Sequence, residues 1–182
     1  MPKTDRWKWL EPRRITHVCN RWAQDHNDDL QAAWFNGDGF ASWENVWGCW
    51  NGITPRDGEA IRRIYTIARF VASCGGFFQS PSWQPYFPVI MDQSNVFASV
   101  WPHGDERLWT VVNRGTKDLN GAVLRLSNSG KHYYDLYAGV EVMPNKEVSG
   151  GDITISIALE ARGYGAILET PQNASAAALN AC

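Results

Sequence analysis

Beyond Pro88 the chain is punctuated at short, regular intervals, and this cadence constrains the fold more than any other feature. Segments of strand character fall at 96–101, 108–113, 122–126, 132–137, 140–142, 153–159 and 166–169. Turn-forming residues separate them: His103-Gly104-Asp105, Asn113-Arg114-Gly115, Asn120-Gly121, Asn128-Ser129-Gly130 and Gly150-Gly151-Asp152. Strands repeating every roughly 8–12 residues with turns between them predict an antiparallel β-sandwich. Ile153, Ile155, Ile157 and Leu159 alternate with Thr154, Ser156 and Ala158, the signature of a strand with one buried face.

The texture upstream is different. Thr54-Pro55-Arg56-Asp57 supplies an N-cap threonine, a proline at the first helical position and an acid in the first turn. Apolar residues then recur at Ala60, Ile61, Ile64, Ile67, Ala68 and Val71, the period of one buried helical face. A long amphipathic helix is predicted over 55–73, ended by Gly75-Gly76. Before it, 14–22 is β-branched and reads as a strand, 30–35 as a short helical segment, and 1–13 as a loop. Asn36-Gly37-Asp38-Gly39 is a turn, and a short buried strand should start at Phe40. Pro81, Pro85 and Pro88, interleaved with Trp83, Tyr86 and Phe87, read as an aromatic connector between two units. The expected organisation is therefore 1–80, a connector at 81–88, a sandwich at 89–170 and a disordered tail at 171–182.

Composition narrows the function classes. Net charge is −2 with 20% charged residues, and the basic pairs Arg13-Arg14 and Arg62-Arg63 are too small for a nucleic-acid stripe. Neither a membrane span of about 18 apolar residues nor an apolar leader is present. An extracellular or periplasmic setting fits a parent protein, and this sequence alone fixes no compartment. Cys19, Cys49, Cys74 and Cys182 are scattered without a C-x-x-C spacing, so buried reduced thiols are expected ahead of disulfides. His17, His26, His103 and His132 show no metal spacing, and no cofactor motif occurs, so neither metal nor cofactor is expected.

Aromatic content is the unusual feature: 10 Trp, 7 Phe and 6 Tyr. Such rings bury large areas and also stack on sugar faces. The stretch Asn36 to Gly48 places Glu44 between Trp43 and Trp47 in an apolar setting. Desolvation there would raise a carboxyl pKa, and an acid that keeps its proton near neutrality can protonate a glycosidic oxygen. Glu44 is thus the candidate catalytic acid, Asp38 a weaker catalytic candidate, and Trp43, Trp47, Trp50 and Asn36 the candidate substrate-binding residues. The competing reading makes Glu44 a buried structural carboxylate and the tryptophans core. A glycosidase needs a second carboxylate about 5–9.5 Å away, for which Asp25, Asp28, Asp29 and Asp38 are the local choices.

Several segments resemble one family of large glycoside-hydrolase-like proteins, some fused to a formylglycine-generating, sulfatase-modifying-factor type domain. They are Asn20-Arg21-Trp22-Ala23-Gln24-Asp25, Asp28-Asp29-Leu30-Gln31, Ser42-Trp43-Glu44-Asn45-Val46-Trp47-Gly48 and Trp50-Asn51-Gly52-Ile53-Thr54-Pro55, continued by Leu108-Trp109-Thr110-Val111-Val112-Asn113 and Tyr134-Asp135-Leu136-Tyr137-Ala138-Gly139. The close at Ile157-Ala158-Leu159 and Gly163-Tyr164-Gly165-Ala166-Ile167-Leu168 is similar to the C-terminal sandwich of many retaining glycosidases, which carries no catalytic residue.

The resemblance implies an α+β, mainly β chain: the remnant of the end of a (β/α) barrel, one long helix, then the sandwich. At 182 residues the chain is too short for a full eightfold barrel, typically about 250 residues. The implied function is the C-terminal fragment of a carbohydrate-active glycoside hydrolase, inactive alone. Its partners would be a carbohydrate and the missing barrel half or another domain, with no nucleic acid and no membrane. The alternative is a non-catalytic carbohydrate-binding or domain-docking module of a sulfatase-modifying-factor-type protein, using Trp83, Tyr86 or Trp101 if exposed.

Overall fold

The computed structural model describes residues 1–20, 25–42, 53–146 and 151–172, with backbone only at Asn20 and Ser42. Two short strands, β1 (His17–Asn20) and β2 (Gly39–Ser42), run parallel in register from His17 opposite Gly39 to Asn20 opposite Ser42. Helix α2 (Asn27–Asn36) lies between them in the chain, so β1, α2 and β2 form a strand–helix–strand unit of the barrel type. A four-residue helix, α1 (Trp7–Leu10), precedes them where the polar sequence predicts a loop. It forms because the Asp5 carboxylate accepts the Trp7 N–H at 2.9 Å and the Lys8 side chain is drawn into the interior.

Helix α3 (Pro55–Ser73) has the bounds its periodicity predicts. Thr54 Oγ1 accepts the Asp57 N–H at 3.1 Å. Gly76, at φ 75°, lets the chain turn back so that its N–H reaches the Val71 carbonyl at 3.2 Å. Ala60, Ile64, Ile67 and Val71 form the buried face.

Nine strands follow among the described residues: β3 (Gln84–Phe87), β4 (Val96–His103), β5 (Glu106–Asn113), β6 (Leu119–Ser127), β7 (His132–Asp135), β8 (Val140–Glu141), β9 (Asn145–Lys146), β10 (Asp152–Leu159) and β11 (Tyr164–Thr170). Six make one sheet in the order β3-β4-β5-β11-β7-β8, and three make a second, β6-β10-β9. The pairings within both sheets are antiparallel. The segment read as a connector therefore supplies an edge strand of the large sheet. Pro85 is tolerated there because an edge strand has one side free of ladder bonds.

The large sheet is covered on both faces. Trp101, Leu108, Val112, Ala166 and Leu168 pack against α2 and α3. Val96, Ala98, Val100, Trp109, Val111 and Ile167 pack against Ile153, Ile155 and Ile157 of the small sheet. Residues of opposite parity on one strand thus serve two cores, and all seven residues of β11 are buried. Polar anchors tie α2 to the sheet. Gln31 Nε2 donates to the Asn113 and Gly163 carbonyls at 2.8 and 3.1 Å, and Trp34 Nε1 donates to the Gly165 carbonyl at 3.0 Å.

A fully buried, hydrogen-bonded carboxylate lies within the sandwich. Glu169 is 0% exposed, and its Oε1 accepts from Arg107 Nη2 at 2.8 Å, Ser129 Oγ at 2.7 Å and Tyr133 Oη at 2.9 Å. Burial pushes its pKa up, but the Arg107 and Ser129 bonds outweigh that and hold it below the ordinary glutamate value. Arg107→Ala should cost about 3 kcal/mol, the low end for a broken buried pair, because the arginine side chain is 35% exposed. A depressed folded pKa gives stability that is present above the unfolded value near ~4.3 and lost as pH falls through the folded value. Urea titrations at pH 7 and pH 3 should therefore show the gap between wild type and Arg107→Ala narrowing in acid.

Candidate functional site

Because β1 and β2 are parallel, their C-terminal ends emerge at the same edge of the unit. In (β/α) barrels that edge carries the chemistry and the opposite edge carries stability. Residues 21–24 and 43–52 come directly after these two ends in sequence and lie outside the described residues. Glu44, Trp43, Trp47 and Trp50 are among them. Asp25 and Asp28 lie at the start of α2 on the same side. Asp28 pairs with Arg114 at 3.0 Å and with Arg162 at 3.4 Å, and Asp25 lies 3.7 Å from Arg162. His26 is wholly buried against Phe40, with ring centroids 5.4 Å apart.

Asp38 and Asn36 lie at the opposite edge, where α2 turns into β2. Gly37 takes the left-handed conformation at φ 62°, and a Cβ there would fall 2.6 Å from the Phe78 ring. A Cβ on Gly39 would fall 2.4 Å from the His17 ring. Gly37 thus lets the turn approach the core at Phe78, and Gly39 lets it approach the exposed His17 ring. Asn36 does not face open solvent. Its amide donates to the Lys3 and Ala32 carbonyls at 2.8 and 2.9 Å, and its oxygen accepts the Asp5 N–H at 3.0 Å.

Asp38 borders an apolar cavity of about 390 Å³ lined by Ile15, His17, Trp34, Tyr65, Ala68 and Phe78, among others. Its Oδ1 lies 2.8 Å from Thr16 Oγ1 and 3.7 Å from Lys8 Nζ. Burial lifts the carboxyl to about 7, against the pull of the Thr16 bond and the Lys8 charge. Burial also lowers the Lys8 pKa, against the pull of Asp38 and Asp5. Both partners are pushed toward their neutral forms, so desolvation outweighs their attraction. The ammonium is held by carbonyls as well: Phe78 at 3.3 Å, and Arg14 and Gly37 at 3.4 Å. Asp5, Lys8 and Thr16 have no sequence signature, because they converge on Asp38 only through the path of the first sixteen residues.

The candidate binding aromatics Trp83, Tyr86 and Trp101 are largely taken up by packing. Trp101 is 0% and Trp83 6% exposed, and their rings stack at 5.2 Å. Tyr86 is half-buried beside Phe35. The large apolar side chains that do reach solvent near the N-terminus are Met1, Trp7, Trp9, Leu10 and Ile15. Cys19 and Cys74 are exposed rather than buried, while Cys49 and Cys182 lie outside the described residues. Among the described residues no group of three His, Cys, Asp or Glu side chains is arranged to hold a metal. No helix among them is long and apolar enough to cross a membrane.

No protein-family model matches the chain, and no curated protein matches it. Its structure is similar to a cyclomaltodextrin glucanotransferase with a three-domain ABC distribution, at TM-score 0.55 and 12% identity over 87% of this chain and 36% of that one. It is also similar to an alpha-amylase from Geobacillus thermoleovorans, at TM-score 0.54 and 8% identity over 91% of this chain and 42% of that one. An alpha-amylase from H. orenii matches at TM-score 0.52 and 10% identity over 86% and 40%. At such identities the likeness concerns the fold. Nothing in these matches supports a fused sulfatase-modifying-factor type domain. The chain has a glycoside-hydrolase-like fold, the end of a (β/α) barrel followed by an antiparallel β-sandwich, and spans less than half of the enzymes it resembles.

Proposed function

We propose that this chain is the C-terminal part of a carbohydrate-active glycoside hydrolase and supplies one side of its active site. The observation that carries the reading is the parallel pair β1–β2, whose C-terminal ends share one edge. Glu44 follows the last residue of β2 by two positions, which is where barrel enzymes place catalytic side chains. In this reading Glu44 is the general acid, and Trp43, Trp47 and Trp50 stack on sugar rings. Asp38 is left out of the chemistry because it sits at the other end of β2, with its carboxyl turned to Thr16 and Lys8.

A two-stranded parallel sheet is not a self-sufficient structure, since parallel sheets need further strands and cover on both faces. Further barrel units are therefore the required partner, and the chain alone is inactive. The test is turnover of a panel of aryl glycosides and oligosaccharides by the chain alone and by the barrel-complete protein. Hydrolysis by the second and none by the first is the expected result. Absence of turnover in both, with a correctly folded complete barrel, would remove the enzyme reading.

Exposed Trp7 and Trp9, at 55% and 56%, favour a second reading in which the chain binds glycan without cleaving it. Titration with soluble glycans, followed by tryptophan fluorescence, should then give a saturable change that Trp7→Ala removes. No change with wild type sinks this alternative.

A further inference from the structure

The cluster at the start of β2 contains two carboxyls, one hydroxyl and one ammonium. Thr16 Oγ1 lies 2.6 Å from Asp5 Oδ2 and 2.8 Å from Asp38 Oδ1. A threonine hydroxyl has a single proton and can donate to only one of them. At such distances the other carboxyl must itself donate, so one of the two is in the acid form. The charges give the same count. Lys8 is the one cation in contact with Asp38 among the described residues, and both are buried, so one cation beside Asp38 and the half-buried Asp5 balances only one ionised carboxyl.

We propose that this cluster shares one proton and that the proton latches the N-terminal strap, residues 2–8, onto the barrel end. In the latched state Asp38 donates to Thr16, Thr16 donates to Asp5, and Lys8 balances Asp5. The Asp5 carboxylate in turn accepts the Trp7 N–H and so starts α1. Asn36 fastens the Lys3 carbonyl and the Asp5 N–H, and Tyr86 Oη donates to the Pro2 carbonyl. The other polar groups around the cavity do not replace the proton. Tyr65 from α3 reaches only the Asp38 carbonyl, at 3.4 Å. Arg69 from α3 and His17 from β1 line the cavity, but neither is paired with the Asp38 carboxyl. The raised pKa of Asp38, about 7, agrees with the proton count.

When Asp38 ionises, Thr16 faces two carboxylates and the cluster carries a net negative charge around the buried Asp38. The latch therefore weakens as pH rises. Asp38 binds its proton more tightly in the latched state than in a released strap with an ordinary aspartate. Linkage then makes strap opening increase by up to about tenfold per pH unit between ~4 and 7 and level off above 7. The test is hydrogen exchange of residues 2–10 in the full chain, expressed as protection factors from pH 5 to 8. Protection falling by roughly 10–100-fold between pH 5 and 7, then flattening, is expected.

Asp38→Asn keeps a donor toward Thr16 without a titrating group and should make protection independent of pH. Constant protection in wild type, or an unchanged fall in Asp38→Asn, overturns the proposal. Should the variant fail to fold, carboxyl NMR of the wild type decides between an Asp38 midpoint near 7 and one near 4. A midpoint near 4 sinks the latch. None of these readouts depends on catalysis.

Discussion

Trp101→Ala should lower the unfolding free energy by about 3–5 kcal/mol, the range for emptying a fully buried tryptophan site. Trp101 is 0% exposed and sits on the helix-facing side of β4. Its ring stacks on Trp83 at 5.2 Å and meets Phe78 edge-on at 5.1 Å. Lys8 Nζ lies over it at 5.7 Å, and its Nε1 donates to Thr110 Oγ1 at 3.3 Å. Truncation leaves a cavity where the barrel end, the edge-strand segment and the large sheet meet. These surroundings collapse poorly, because each side is held by a different element. The Thr110 hydroxyl loses its partner as well. Denaturant unfolding followed by far-UV circular dichroism measures the loss. A change under about 1 kcal/mol would mean that the barrel end and the sandwich do not share this core. Trp101→Phe retains an aromatic ring and should recover part of the stability.

Glu44→Gln, made in the barrel-complete protein, should reduce kcat by about 10²–10⁴-fold if Glu44 is the general acid. Glutamine keeps the shape and supplies no proton to the leaving oxygen. The loss should be smaller for substrates with activated leaving groups, which need little protonation. It should also be accompanied by loss of the alkaline limb of the kcat/KM profile, since that limb reports the acid. Equal loss for all leaving groups with an unchanged pH profile would assign Glu44 a structural role instead. Asp38→Asn is the matched control. It lies at the other end of the strand and should leave the profile in place while altering the pH dependence of the N-terminal strap.

What the sequence determined by itself is local. Turn residues at fixed offsets and alternating apolar residues foretold the sandwich strands, because a half-buried strand must alternate and a hairpin must turn. Thr54, Pro55 and the apolar period foretold α3, because a cap and one buried face are properties of adjacent residues. The Asn36–Gly39 turn was legible for the same reason, and its glycines prove to be needed for close approach to Phe78 and His17. The Glu44 segment was legible only as a pattern of residue types, and its role still rests on its position after β2.

Only the tertiary structure decided what depends on partners distant in the chain. It drew 84–87 into the large sheet as an edge strand, since strand pairing is a choice of neighbour that prolines do not announce. It turned the sandwich face toward α2 and α3, so that odd and even positions of one strand enter different cores. It stacked Trp83 of the connector on Trp101 of β4 and so removed both tryptophans from any binding face. It also assembled Asp5, Lys8, Thr16 and Asp38 into one cluster, with Lys8 and Asp38 buried and Asp5 and Thr16 half-buried. None of those four side chains is unusual in sequence. Desolvation and hydrogen-bond stoichiometry act on groups only once folding has brought them together, and that is why a shared proton can be inferred from the structure and not from the sequence.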